Sequence, residues 1–143
     1  MFDTFLINGK FSNGLNPFDR GLAFGDGVFR TFKVFNKLPT HWKYHYEKLV
    51  HDAKILKIQA PNEKFFIDDI NVLFAKNNRT FVAKFIITRG FSDRGYSIPA
   101  NISPNRILIK SDYKPLKSEC YEKGVELEFS NIRLAINNSL GSI

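Results

Sequence analysis

The chain has 143 residues, enough for one domain or for one domain and part of another. Hydrophobic residues make up 43% and charged residues 24%, ordinary values for a soluble globular protein, and the formal net charge is +7. The basic residues are scattered rather than gathered into a stripe or tail, which argues against nucleic acid; no apolar run reaches transmembrane length, which argues against a membrane span; and Cys120 stands alone, which excludes an intramolecular disulfide or a cysteine-rich metal site.

The start of the chain lacks the basic stretch and apolar core of a secretory signal, so a cytoplasmic location is expected. Thr4 to Ser12 reads as a hairpin, with Asn8-Gly9 between short apolar runs and suited to a type I′ turn. Residues 13–26 are rich in Gly, Asn, Pro and Asp and are expected to be loop. Val28 to Phe35 reads as a strand with Val28, Phe32 and Val34 on one face and Arg30 interrupting it; Asn36-Lys37 then turns the chain. His41 to Ile58 has Trp42, His45, Leu49, Ala53 and Leu56 at helical spacing. Asn62 is placed to cap a second helix running to about Lys76, with Phe66, Ile70 and Leu73 as its buried stripe.

Thr80 to Thr88 is a strong strand, and the loop after it runs to Asn105, a length that inside a compact domain points to function or disorder. Arg106 to Lys110 is another strand. Leu116 to Glu122 is expected to form a helical turn or two, and Val125, Leu127 and Phe129 alternate as in a strand. These elements give an α+β domain over residues 1–113, a linker over 114–123, and in 124–143 the incomplete start of a second domain, with too few elements to bury its own apolar face. The 15 Phe residues favour a core built on aromatic packing.

Three stretches carry chemistry. DRGLAFGDGVFR, from Asp19 to Arg30, reads as a tight turn into an edge strand; it lacks the third glycine and the following helix of a phosphate loop. RGFSDRGY, from Arg89 to Tyr96, supplies two guanidiniums and a phenol, for which anion binding and plain surface charge fit equally well. In HYEKL, His45 on the apolar face reads as a packing residue, and Lys48, one step before Leu49, sits where a cleft rim would be. His41, His45 and His51 lack the further ligands of a metal site, and no Ser or Cys has the local signature of an activated nucleophile.

Taken together and in this order, FLING (5–9), DRGLAFGDGVFRT (19–31), HYEKL (45–49), RGFSDRGY (89–96) and GVELEFSNIRLAINNSLGSI (124–143) resemble the class IV aminotransferase family, the pyridoxal 5′-phosphate enzymes of fold type IV. The resemblance covers nearly all of this chain and about half of a family member. It implies the N-terminal small domain of such an enzyme, an antiparallel sheet with two helices, followed by the first strand of the larger C-terminal domain. It implies pyridoxal 5′-phosphate as cofactor, a homodimer, and Lys48 where the family usually has an arginine on the cofactor phosphate. Arg94 and Tyr96 match positions that meet a substrate carboxylate, often across the dimer interface, and Phe29 matches a position lining the pocket. Asp26 and its glycines are expected to be structural.

In the family the pattern of Asn137, Leu140 and Ile143 leads into the Schiff-base lysine, which is therefore expected immediately after Ile143, leaving no catalytic residue within the 143. The RGFSDRGY and RLA-x-N stretches favour a lyase that splits 4-amino-4-deoxychorismate into 4-aminobenzoate and pyruvate for folate synthesis. A transaminase of the D-amino-acid or branched-chain type is the alternative, and the chain strictly as printed would be a non-catalytic fragment.

Overall fold

A computed structural model describes residues 4–75 and 79–133. In chain order it contains β1 (Thr4–Ile7), β2 (Lys10–Phe11), α1 (Arg20–Phe24), β3 (Gly27–Phe35), β4 (Leu38–Pro39), α2 (Trp42–Ile55), α3 (Glu63–Phe74), β5 (Phe81–Thr88), β6 (Asn105–Asp112) and α4 (Ser118–Lys123). The strands form one antiparallel sheet in the order β2-β1-β6-β5-β3-β4.

Local chemistry explains the first hairpin. Asn8 and Gly9 both take positive φ, 51° and 85°, as a type I′ turn requires. The Asn8 side chain then fastens the turn to β6: its Oδ1 accepts from the Arg106 backbone N–H at 2.8 Å, and its Nδ2 donates to Asn105 Oδ1 at 2.9 Å. Asn36 and Lys37, at φ 47° and 68°, make the second tight turn, which returns the chain as the two-residue β4.

One face of the sheet is covered by α2 and α3. The Asn62 side chain accepts the Lys64 backbone N–H and caps α3, which buries Phe66, Ile70, Leu73 and Phe74. From α2 come Leu49 and Ala53, with Trp42 and Leu56 half-buried beside them. The strands answer with Leu6, Val28, Phe32, Val34, Phe81, Ala83, Phe85, Ile87 and Leu108. Phe66 and Phe85 meet edge to face, with centroids 4.9 Å apart and planes at 80°. Truncating either to Ala removes about 3–5 kcal/mol of packing and transfer energy. Across the other edge of this layer Arg106 grips Asp69 with two bonds, Nε–Oδ2 at 2.6 Å and Nη2–Oδ1 at 3.1 Å, and so ties β6 to α3.

Two expectations are corrected. The 13–26 segment is not all loop: Asp19 caps the five-residue α1, and Gly25 closes it in the left-handed region at φ 67°. Gly21 inside that helix lies so close to Thr88 that a Cβ would overlap the threonine side chain. The strand expected at Val125–Phe129 is not formed; residues 124–131 are irregular or bent, and Leu127 and Phe129 are almost wholly exposed. A strand exists only where a neighbour takes its N–H and C=O groups, and no described strand lies beside this one. The last residue of the expected second helix, Lys76, and most of RLAINNSLGSI lie outside the described residues.

Candidate functional site

The DRGLAFGDG stretch and the end of β5 form a buried ionic corner. Asp26 Oδ2 accepts Arg20 Nε at 2.9 Å and Arg89 Nε at 2.7 Å. Arg89 continues to the carbonyls just past the end of α2, with Nη1 on Lys57 O at 3.1 Å and Nη2 on Leu56 O at 2.6 Å. Arg20 continues into the 89–104 loop, reaching Ser92 Oγ at 3.1 Å and the carbonyls of Tyr96 at 3.2 Å, Ser97 at 3.3 Å and Gly95 at 3.4 Å. Beside this corner Asp19 is fully buried and accepts from Thr88 Oγ1 and Asn105 Nδ2, each at 2.7 Å. Burial pushes the Asp26 carboxyl up, but the bonds and charges of Arg89 and Arg20 outweigh it and hold the group below 3.8. The motif thus pins three separate segments together, and Asp26 is structural, as expected. Arg89 resolves the choice left open for its stretch: it is neither an anion ligand nor surface charge, but is consumed inside the fold.

Next to this corner lies a cavity of about 630 Å³, open at the side and mostly apolar. Its walls include Leu22, Gly27, Phe29, Ile86 and two charged residues, Arg30 and Asp52. Arg30 shares the core-facing side of β3 with Val28, Phe32 and Val34, and its Nη2 donates to Asp52 Oδ2 at 2.6 Å. Lys48, one helical turn before Asp52, donates to Asp52 Oδ1, and His51 Nδ1 lies 3.2 Å from the same oxygen. Burial raises the Asp52 pKa, yet the Lys48 and His51 hydrogen bonds and the charges of Lys48 and Arg30 bring it below 3.8. Two permanent cations thus face one carboxylate at the polar end of an apolar cavity. The buried Arg30 Nε–H finds no hydrogen-bond partner among the described residues.

The sequence-chosen residues divide. Phe29 lines the cavity, with Lys84 Nζ 4.3 Å from its ring centre. Lys48 is not in the wall but is bonded to Asp52, which is. Tyr96 is exposed on the loop, its ring 5.3 Å from that of Phe24, and Arg94 is exposed two residues before it; neither lines the cavity. His45 packs on Phe32 with ring centres 5.1 Å apart, the packing role expected. Arg30 and Asp52 were not among the chosen residues. The one signal for Arg30 was its interruption of an apolar face.

The comparisons with known proteins bear on this arrangement. No family model matches the chain. A crystal structure of 4-amino-4-deoxychorismate lyase from Pseudomonas aeruginosa superposes with a TM-score of 0.76 at 32% identity, over 85% of this chain and 44% of that one. The family follows from that match.

The chain is the N-terminal part of a fold type IV, class IV aminotransferase-family protein.

Curated relatives carry both family activities in their names. An aminodeoxychorismate lyase from Vibrio harveyi is 29% identical over 133 residues, 92% of this chain and 48% of that protein. A Methanocaldococcus jannaschii protein provisionally named a branched-chain-amino-acid aminotransferase is 30% identical over 119 residues, 79% of this chain and 41% of that protein. The chain spans less than half the length of each. Among the described residues no helix is long and apolar enough to cross a membrane, and no cluster of His, Cys, Asp and Glu is arranged to hold a metal ion.

Proposed function

We propose that the full-length protein is a pyridoxal 5′-phosphate-dependent aminodeoxychorismate lyase, which converts 4-amino-4-deoxychorismate to 4-aminobenzoate and pyruvate. The observation that carries this reading is the cavity itself: about 630 Å³ with apolar walls, ending at Arg30 and Asp52, with Lys48 bonded to Asp52 just outside the wall. That donor set fits a phosphate monoester, since an anion needs a net positive site and Lys48 keeps two N–H groups beyond the one given to Asp52. In this reading Lys48 holds the phosphate, and Phe29 and Ile86 flank the ring. When bound, the cofactor supplies an electron sink for bonds at the carbon bearing the substrate amine.

Arg94 and Tyr96 take a substrate carboxylate, reached from the second subunit of a homodimer. What supports this role is the anchoring of their loop: Arg20 gives three hydrogen bonds to its backbone carbonyls and one to the Ser92 hydroxyl, while the side chains of Arg94 and Tyr96 stay exposed. The transaminase reading is favoured by one relative's name, and the two differ in an observable product.

The test is to give the full-length protein 4-amino-4-deoxychorismate and cofactor with no 2-oxo acid. Pyruvate and 4-aminobenzoate in equal amounts are expected, and in the same assay Arg94→Ala should raise KM about tenfold, the scale of one charged hydrogen bond. A transaminase would release no pyruvate without an amino acceptor, and that outcome would remove the lyase assignment.

A further inference from the structure

Among the described residues Arg20, Arg89, Arg106 and Arg30 are buried or nearly so, and the first three are anchored in the same way. Arg20, Arg89 and Arg106 each place Nε–H on a carboxylate, at 2.9 Å, 2.7 Å and 2.6 Å, and use terminal nitrogens on a second acceptor. Arg30 departs from this pattern. It gives Asp52 only Nη2, and its Nε–H, though buried, meets no acceptor among the described residues. An orphaned donor on a cation costs more to bury than one on a neutral group, and it marks a guanidinium whose bonding the fold leaves incomplete. Arg30 lines the cavity, whereas Lys48 does not.

We infer that Arg30 is itself an anion ligand of this cavity, taking a phosphate monoester through Nη1, which makes no hydrogen bond among the described residues and is not buried, while Asp52 positions Arg30 and Lys48 side by side. The inference deepens the function proposed above and rests on it for the identity of the ligand, but not for the anion chemistry. A guanidinium in the wall explains how a lysine, which offers a point charge and no fork, can stand at position 48 of an anion site. Asp52 has the geometry for its part: one oxygen takes Arg30 and the other takes Lys48, so neither cation can swing away without giving up an ion pair.

Two measurements on the full-length protein test this. In the first, the Nε–H resonance of Arg30, identified by its absence in Arg30→Lys, is followed while inorganic phosphate is added. A saturable shift is expected; a resonance that stays still overturns the inference, and this arm needs no variant to be stable beyond the assignment. In the second, affinities for pyridoxal 5′-phosphate and for unphosphorylated pyridoxal are compared by absorbance titration. Arg30→Gln should weaken the phosphorylated ligand roughly tenfold or more and leave pyridoxal unchanged, with Arg30→Lys between. Equal loss for both ligands, or none for either, overturns the role of Arg30 and leaves the lyase reading standing. If the protein fails to bind pyridoxal 5′-phosphate while inorganic phosphate still moves the Arg30 resonance, the lyase reading falls and the anion site remains.

Discussion

Two carboxylates in this fold, Asp26 and Asp52, each hold two cations, and they differ in what is left over. Asp26 takes Nε from Arg20 and Arg89, and the remaining nitrogens of both arginines are spent on carbonyls and a serine hydroxyl. Those side chains are 5% and 8% exposed. Asp52 takes Arg30 and Lys48, which are 21% and 36% exposed, and Arg30 spends only Nη2 among the described residues. A saturated cluster can only hold the chain together. An unsaturated one, facing a cavity, keeps binding capacity in reserve.

The comparison breaks most visibly in stability. Asp26→Asn should cost about 3–5 kcal/mol in urea unfolding, since it strands two buried guanidiniums. Asp52→Asn should cost about 1 kcal/mol, because water reaches its partners. Equal losses would make the two clusters the same kind of object.

Acid sharpens the contrast. In both carboxyls burial raises the pKa and the neighbouring cations more than reverse it, so both titrate below 3.8. A carboxylate depressed on folding contributes stability that is complete above its unfolded pKa and is lost as pH falls through the folded value. The unfolding midpoint should therefore hold from neutrality down to about pH 4 and fall below it, with Asp26→Asn flattening the fall more than Asp52→Asn. Urea midpoints across that range decide it; a fall beginning well above pH 4 would assign acid lability to other groups.

The smallest effect is on His45. Burial first, then the charges of Arg30 and His41, hold its imidazole below 6.5. An anion seated on Arg30 cancels part of that repulsion, so saturating phosphate should move the His45 titration, followed by its ring-proton shifts, back toward 6.5. A titration indifferent to phosphate would place the anion away from Arg30.

What the sequence disclosed was local. The Asn8-Gly9 turn, the Asn62 cap and the helical stripes of α2 and α3 each depend on residues within a turn or two of one another, and each is found where its spacing puts it. The Asp26 corner draws partners from positions 20, 56, 57 and 89, which no periodicity links. Arg30 was visible only as a fault in an apolar face, because its partner Asp52 lies on a different element 22 positions away. α1 was hidden by its five-residue length and by a glycine in its first turn that exists to clear Thr88. Val125 to Phe129 misled in the opposite sense, since alternation records which face would be buried and not whether a neighbouring strand is there.

The order of the strands also sets a timetable. β1 leaves the ribosome about 100 residues ahead of β6, yet its long pairing is with that strand, where Leu6 lies opposite Leu108. At a synthesis rate of about 5–20 residues per second, that partner arrives roughly 5–20 seconds later. Until then Leu6, wholly buried in the finished fold, has nothing to pack beneath, and the first hairpin waits as an exposed edge. The nascent chain can assemble β3, α2, α3 and β5 in sequence, but the sheet closes only when β6 slides between β5 and β1.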